Sequence, residues 1–280
     1  MIDTDMKTHD QALTTRQVEL EKLYSKNQLL KRLREEFISE PSVDFLKTFE
    51  ELGIPGQFGL DLLVQMALHK QADLPTIVGL LYHHFSDAQL TADMILKAVD
   101  ADLVDWSPRL KMLTTVFGVA PHVQLDLDRY QYPLPMVTQP QAVRNNRTSG
   151  YLIHNSSVIL KDNHHDEDVC LDHLNVVNQV PLSINTECAQ MLHNKWKNLD
   201  KRKTDETQEK FIQRKRAFLK YDRVAHDVMD LLTEHGNVFY LTHKYCKRGR
   251  TYSQGYHVNY QGNPWNKAVI EFADKEVVDG

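Results

Sequence analysis

The spacing of the apolar residues constrains the fold of this 280-residue chain more than any other feature of its sequence. Over residues 14–118 and 168–235 the apolar side chains recur mostly every three or four positions, which is the spacing of amphipathic helices. The spacing changes after Gly236, where Val-Phe-Tyr-Leu at 238–241 is typical of a buried strand. A second strand is predicted over 251–258 and a short helix over 264–272. The sequence therefore predicts an α+β fold that is mainly helical.

The N-terminal region is predicted to be entirely helical. Ser86 and Gln89 have the spacing of a capping box, Pro108 suits the first turn of a helix, and Pro41 and Gly53 end helical patterns. The predicted helices span 14–40, 46–52, 60–69, 87–99 and 107–117. The region has no basic face, so a scaffold that packs on another part of the protein or on a partner is one interpretation of it.

Two long helices are predicted further along the chain, after a stretch rich in Pro and Asn. In that stretch, apolar runs at 151–153 and 158–160 predict a small hairpin. The first long helix is predicted over 168–198 and the second over 204–235, closed by Gly236. The short link between them would make the helices an antiparallel pair.

Positive charge is concentrated on this helix pair. Between residues 195 and 223 there are eleven Lys or Arg and five Asp or Glu, a local net charge of +6; the whole chain carries −5, so the rest carries −11. Such segregation favours contact with a nucleic-acid backbone, because each neutralised phosphate adds affinity through counterion release. The alternative is a solvated helix with ion pairs between successive turns, such as Glu206 with Lys210.

Residues 240–267 combine cations with aromatic side chains. Lys244, Lys247, Arg248 and Arg250 surround Gly249 with no acidic residue among them, and five tyrosines are interleaved with this stretch. Guanidinium groups suit phosphate oxygens, glycine allows close approach, and aromatic rings can stack on bases. The stretch predicts a grip on a nucleic-acid backbone, and a solvated hairpin is the alternative.

Composition limits the class of protein. Hydrophobic residues make up 41% of the chain and charged residues 25%, which is typical of a globular protein. No apolar run approaches the roughly 20 residues that a membrane span needs. The three cysteines, Cys170, Cys188 and Cys246, lie far apart and are predicted to be reduced thiols.

Several segments resemble a known family. Cys-Lys-Arg-Gly-Arg-Thr-Tyr at 246–252 and Tyr-Gln-Gly-Asn at 260–263 are similar to the DxxGR and PQGN motifs that open the palm domain of the single-subunit RNA polymerases of phages and mitochondria. Residues 132–140 resemble that family's PMVxPP stretch, 148–152 its TGGYL loop, and 176–192 its NxxxxxxWxIN helix without the tryptophan. Cys246 stands where the motif has an acid.

The resemblance implies a division of the chain into four parts. These are an N-terminal helical domain over 1–120, a Pro- and Asn-rich connector with the small hairpin over 121–167, a two-helix thumb over 168–236, and the first strands of a palm over 237–280. The rest of the palm is expected on a larger partner chain, together with the aspartates that hold two Mg²⁺ ions in this family. Within this chain, residues 164–168 (His-His-Asp-Glu-Asp) are expected to be a solvated acidic loop rather than a metal site.

The resemblance also implies which residues contact nucleic acid, and it implies no catalytic residue and no metal ligand in this chain. Arg250 is expected to support the reaction by holding phosphates of the template or hybrid. The expected contact residues are Lys247, Arg248, Gly249, Arg250, Tyr252, Gln261, Gly262, Asn263 and Lys267 in the palm, and Lys203, Lys210, Arg214 and Arg216 on the thumb.

The chain is therefore similar to the smaller subunits of the heterodimeric RNA polymerases of N-four-type coliphages. The resemblance implies a DNA-directed RNA polymerase subunit that is inactive alone and works in the host bacterial cytoplasm. Its expected partners are the larger subunit with the catalytic aspartates, a DNA template that can be single-stranded, the RNA transcript and NTP substrates, with no membrane. The alternative is a non-catalytic, nucleic-acid-binding transcription regulatory protein that has the same thumb and grip.

Overall fold

A computed structural model describes residues 2–24, 26–40, 43–154, 156–162, 167–196 and 199–275 of the chain. The chain forms two compact units, one from residues 1–25 and 128–280 and the other from residues 26–127. Helix α1 (Ile2–Leu23) therefore belongs to the same unit as the C-terminal half, whereas the sequence prediction grouped it with the N-terminal domain over 1–120.

The 26–127 unit is built around one buried helix. Its helices are α2 (Lys26–Ser39), α3 (Phe45–Glu51), α4 (Gly56–His69), α5 (Leu74–Leu81), α6 (Ala88–Asp100) and the larger part of α7 (Pro121–Tyr130). Every residue of α4 from Phe58 to Ala67 is buried. Gly59 lets α3 approach closely, since a Cβ on this glycine would lie 2.4 Å from the ring of Phe49. Apolar burial around α4 is thus the core of this unit.

A small antiparallel sheet completes the 26–127 unit. Its strands are β1 (Gln71–Ala72), β2 (Asp105–Ser107) and β3 (Met112–Thr114), in the order β1-β3-β2. Leu113 of β3 lies opposite both Ala72 and Trp106 and is fully buried. The all-helical prediction for residues 14–118 was therefore wrong. In place of a helix over 107–117 there is a hairpin whose turn contains Pro108 and places Lys111 at φ +53°.

Two further helix predictions in this region need correction. The helix predicted over 14–40 is two helices, because α1 ends at Leu23 and α2 begins at Lys26; buried residues keep helical spacing on both, so the pattern did not reveal the break. Asp87 caps α6 instead of Ser86: its carboxylate accepts a hydrogen bond from the amide of Leu90, and Ser86 has a φ of +53°.

The second unit contains α1 and the elements of the C-terminal half. These are α8 (Leu171–Asn178), β4 (Leu182–Ile184), α9 (Thr186–Met191), α10 (Gln208–Glu234), β5 (His243–Tyr245), β6 (Thr251–Ser253), α11 (Pro264–Val269) and β7 (Ile270–Phe272). Strands β5 and β6 form an antiparallel hairpin. Strands β4 and β7 pair antiparallel, with Leu182 opposite Phe272 and Ile184 opposite Ile270. The mainly helical α+β fold predicted from the sequence is confirmed.

Of the two predicted long helices, the second is confirmed and the first is not. Helix α10 matches the second one, although its cap is Thr207 instead of Thr204, and Gly236 follows its end with a φ of +93°. The first, predicted over 168–198, was wrong: α8 ends at Asn178, and β4 and α9 follow. Pro181 has no amide hydrogen for a helix, and the amide of Leu182 donates to the carbonyl of Phe239, far along the chain. A two-helix thumb is therefore absent from the described residues.

The predicted strands are shorter than expected. In place of a strand over 238–241 there are only isolated bridges at Phe239 and Tyr240, and β6 ends at Ser253 rather than at 258. The hairpin predicted over 151–160 does not form in its described residues, because Ile159 bridges Tyr245 instead of pairing locally. The helix predicted over 264–272 ends at Val269 and continues as β7. No helix among the described residues has the length and apolar character to cross a membrane.

Candidate nucleic-acid interface

The four segments singled out by the sequence, 132–140, 148–152, 176–192 and 240–267, meet within one unit. Met136 and Tyr240 exchange two backbone hydrogen bonds, each with a donor–acceptor distance of 2.8 Å. Leu182 exchanges two more with Phe239, at 2.8 and 2.9 Å. These bonds place the start of the cationic stretch against the Pro-rich segment and against β4.

Gly150, in the 148–152 segment, lies next to all three of the other segments. A Cβ at this position would be 2.8 Å from Cγ2 of Thr242, 3.1 Å from Cβ of Pro140 and 3.2 Å from Nδ2 of Asn178. Each of these three atoms belongs to a different one of the other segments. The absence of a side chain at residue 150 therefore permits the close packing of the whole arrangement.

A buried carboxylate of α1 holds the 148–154 loop. Glu21, which is 1% exposed, accepts hydrogen bonds from the amides of Leu152, Ile153 and His154 at 2.8, 2.6 and 2.9 Å. It also accepts one from the side-chain amide of Gln17 at 3.0 Å. The sequence analysis missed this contact, because a glutamate in an amphipathic helix carries no sign of a partner more than a hundred residues away.

The β5–β6 hairpin presents the arginine-glycine-arginine turn. The amide of Cys246 donates to the carbonyl of Arg250, and the amide of Gly249 donates to the carbonyl of Cys246, both at 2.9 Å. Gly249 has a φ of +72°, in the left-handed region that glycine adopts without strain. The amide of Arg248 donates to Sγ of Cys246, and this bond is the main cause that lowers the pKa of the thiol.

The cations of this turn face solvent. Lys247, Arg248 and Arg250 are all exposed, and none of them forms an ion pair with an acidic side chain in the described part of the chain. Tyr252, on β6 opposite Lys244, is also partly exposed. The turn therefore offers donors in a small space that can meet phosphate oxygens.

The predicted contact residues Gln261 and Asn263 form hydrogen bonds with other residues of the protein. The side-chain oxygen of Gln261 accepts from the amide of Ser253 at 3.0 Å, and its nitrogen donates to the carbonyl of Thr251 at 3.2 Å. Asn263 caps α11 by accepting from the amide of Asn266 at 2.9 Å. These two side chains build the loop beside β6, whereas Lys267 on α11 is exposed.

A network of side-chain amides joins this loop to the middle of α10. Asn263 donates to Asn194, and Asn194 donates to Asp222 of α10, both at 2.9 Å. The buried Asn266 donates to the hydroxyl of Tyr221 at 2.8 Å. The loop that follows the hairpin is therefore fixed against the long helix. Gly262 lies in this loop, where a Cβ would come 2.9 Å from the carbonyl oxygen of Asn259.

Helix α10 divides into an exposed and a buried half. Between Gln208 and Arg223 only Phe218 is buried, whereas from Val224 to Leu232 most residues are. The exposed half and the loop before it carry the cations that the sequence analysis emphasised. We call residues 199–223 the cationic arm.

Three cations of the arm are neutralised within the protein. Arg214 binds Glu206 through two hydrogen bonds of 2.8 and 2.7 Å, which lower the pKa of Glu206 to about 2. Lys220 and Arg223 each lie 2.6 Å from a carboxylate oxygen of the buried Asp128. Glu206 thus pairs with Arg214 and not with Lys210, and Arg214 is engaged although it was predicted to contact nucleic acid.

The remaining cations of the arm are exposed. Lys203, Lys210 and Arg216 form no ion pair within the described ranges. Lys215 lies over the ring of Phe211, with its Nζ 4.6 Å from the ring centroid. The arm and the hairpin turn therefore supply unpaired positive charge from two places in one unit.

Among the described residues, no group of acidic side chains that could hold a metal ion lies at the arm or the turn. Across the described ranges, the single group of three side chains that could hold a metal ion is Asp61, His83 and His84 in the 26–127 unit. Asp61 is already bound there by Arg34 and by His84. Of the predicted acidic loop, residues 164–166 lie outside the described residues. The described residues near the interface do not fit the two-Mg²⁺ site of a polymerase.

Neither the protein-family models nor the curated proteins with which this chain was compared give a match.

Proposed function

We propose that this chain is the smaller, non-catalytic subunit of a split, phage-type DNA-directed RNA polymerase and that it holds the template and transcript by their backbones. The observation that carries the proposal is the exposed cationic arm, fixed by the Asn194 network to the loop that follows the Arg248-Gly249-Arg250 turn. The packing of the four family-like segments around Gly150 supports it.

The side chains suit recognition by shape and charge. An RNA–DNA hybrid is recognised largely through its backbone, so flexible lysines and forked arginines need no base-specific partner. The unpaired cations Lys203, Lys210 and Arg216 would contact phosphates along the arm, and Arg250 would contact phosphates at the turn. Arg214 would stiffen the start of the arm through its pair with Glu206.

The chemistry of nucleotide addition would come from the larger partner. Two Mg²⁺ ions activate the RNA 3′ hydroxyl and stabilise the pyrophosphate when they are held by carboxylates. The proposal places those carboxylates on the partner, and this chain orients the strands and supplies positive charge beside them.

The first test is the salt dependence of single-stranded DNA binding. Replacing Lys210 and Arg216 together by Gln should weaken binding and lower the slope of log affinity against log salt by roughly 1.4, since each phosphate contact to a single strand contributes about 0.7. Replacing the exposed Lys31 and Lys47 of the 26–127 unit by Gln is the matched control and should leave the slope unchanged. If both double variants lose the same affinity and slope, DNA binding depends on the net charge of the chain and not on contacts of the arm.

The second test is activity. The chain alone should make no RNA, and RNA synthesis with Mg²⁺ on single-stranded DNA should appear when a larger co-purifying protein with the catalytic aspartates is added. RNA synthesis by the purified chain alone would contradict the proposal. Binding of nucleic acid without such a partner would favour the transcription regulatory protein.

A further inference from the structure

A groove of about 290 Å³ lies along the cationic arm. Its walls combine apolar and charged side chains, and one acid, Asp200, lies among them. The residues that matter for its chemistry are Lys195, Trp196, Leu199, Lys215, Phe218 and Leu219. Leu219 is 64% exposed, so this apolar surface is open to solvent.

Trp196 is held in place at this groove. Its ring centroid is 5.2 Å from that of Phe218 and 5.7 Å from that of Tyr221. These two residues are three positions apart on α10 and so share one face of the helix. Trp196 nevertheless remains 37% exposed, which leaves part of a supported aromatic ring open to a ligand.

Cations border this ring. Lys195 is its neighbour in the chain, and Lys215 lines the same groove; both are exposed. A nucleotide has the complementary form, because its base is a flat aromatic ring and its phosphates are anions. Aromatic residues beside a positively charged groove are the usual means of binding single-stranded nucleic acid.

We propose, on the premise of the proposed function, that Trp196 stacks on an unpaired base of the strand whose phosphates the cationic arm holds. The ligand class is single-stranded DNA or RNA, since a base in a duplex is stacked between its neighbours and presents no free face. The sequence analysis did not single out Trp196, because one tryptophan before a charged segment is equally compatible with a purely structural cover over Phe218.

The test compares two oligonucleotides with the same number of phosphates. One is a short oligothymidylate and the other has the same length but abasic sugars. The wild-type chain should bind the oligothymidylate about tenfold more tightly at one salt concentration, since only this oligonucleotide has bases that can stack on an aromatic ring. In Trp196→Leu that preference should disappear, and both oligonucleotides should bind with the wild-type affinity for the abasic one. Tryptophan emission of the wild type should be quenched by the oligothymidylate alone.

Controls separate the outcomes. Trp106→Phe removes a tryptophan of the 26–127 unit and should keep both the preference and the quenching. Circular dichroism must show that Trp196→Leu is folded. If it is not folded, the stacking proposal is judged on the wild type alone, from its quenching and from its affinities for the two oligonucleotides. Equal, salt-dependent binding of both oligonucleotides by the wild type would overturn the stacking proposal and leave the phosphate contacts standing. Absence of any binding at low salt would overturn the proposed function as well.

Discussion

The buried carboxylate of Glu21 gives the sharpest test of what stabilises the unit formed by residues 1–25 and 128–280. Its carboxylate is the acceptor for three backbone amides of residues 152–154 and is almost fully buried. Glu21→Ala would leave three donors without a partner. Because the three amides are only part-buried and a local rearrangement can rescue some of the lost bonds, the cost per unpaired donor lies at the lower end of about 1–3 kcal/mol, and the expected loss in free energy of unfolding is about 3 kcal/mol. Glu21→Gln keeps one acceptor oxygen and should lose about half as much.

The assay needs a local probe, because the two units need not unfold together. Urea denaturation followed by circular dichroism gives the loss of stability, and hydrogen exchange at the amides of residues 152–154 reports on the contact itself. Glu19→Ala is the matched control: Glu19 is an exposed residue of the same helix, and its ion pair with Arg16 is worth less than about 1 kcal/mol. If Glu21→Ala unfolds like Glu19→Ala and residues 152–154 keep their protection, the carboxylate does not hold the loop.

Three further predictions concern the same unit and its partner. If the proposed function holds, Arg250→Ala should slow elongation by the complex with the larger partner by roughly 100-fold without dissociating the subunits, as measured by primer extension and gel filtration. Gly150→Ala should destabilise by about 1–3 kcal/mol in urea melts, whereas Gly79→Ala, in an open helical position, should stabilise slightly. Burial lowers the pKa values of His243 and His257 in the folded protein from 6.5 to about 4. The free energy of unfolding should therefore decrease as the pH is lowered from about 6.5 to 4, because the unfolded chain takes up these protons first. The decrease should be smaller in the variant with both histidines replaced by Gln.

Local signals in the sequence were sufficient for the elements that depend on local interactions. The long apolar stripe and the closing glycine defined α10, and the change of spacing after Gly236 marked its end. The cationic turn forms the tip of the β5–β6 hairpin, and a hairpin was the alternative interpretation of this stretch. In each case the residues that determine the structure are close together in the chain.

The predictions that were wrong concern residues whose partners are far apart in the chain. Strand β4 was predicted as part of a helix because its partner β7 lies almost ninety residues further on, and an apolar run of three residues has no clear period. Contact of Gln261 and Asn263 with nucleic acid stays a prediction; what the sequence did not indicate is that their amides also bind Ser253 and Asn194. Residue type alone does not show whether a side-chain amide forms its hydrogen bonds within the protein or with a ligand.

The structure also changes how the positive charge of the arm should be counted. Of the eleven cations between residues 195 and 223, Arg214, Lys220 and Arg223 are paired with acids, and Lys197 lies outside the described residues. Seven remain: Lys195, Lys201, Arg202, Lys203, Lys210, Lys215 and Arg216. At about 0.7 per phosphate contact, Lys195 and the six unpaired cations of the arm limit the salt slope to roughly 5. A measured slope steeper than this would require further cations, and the turn, in the same unit, has three that are exposed: Lys247, Arg248 and Arg250.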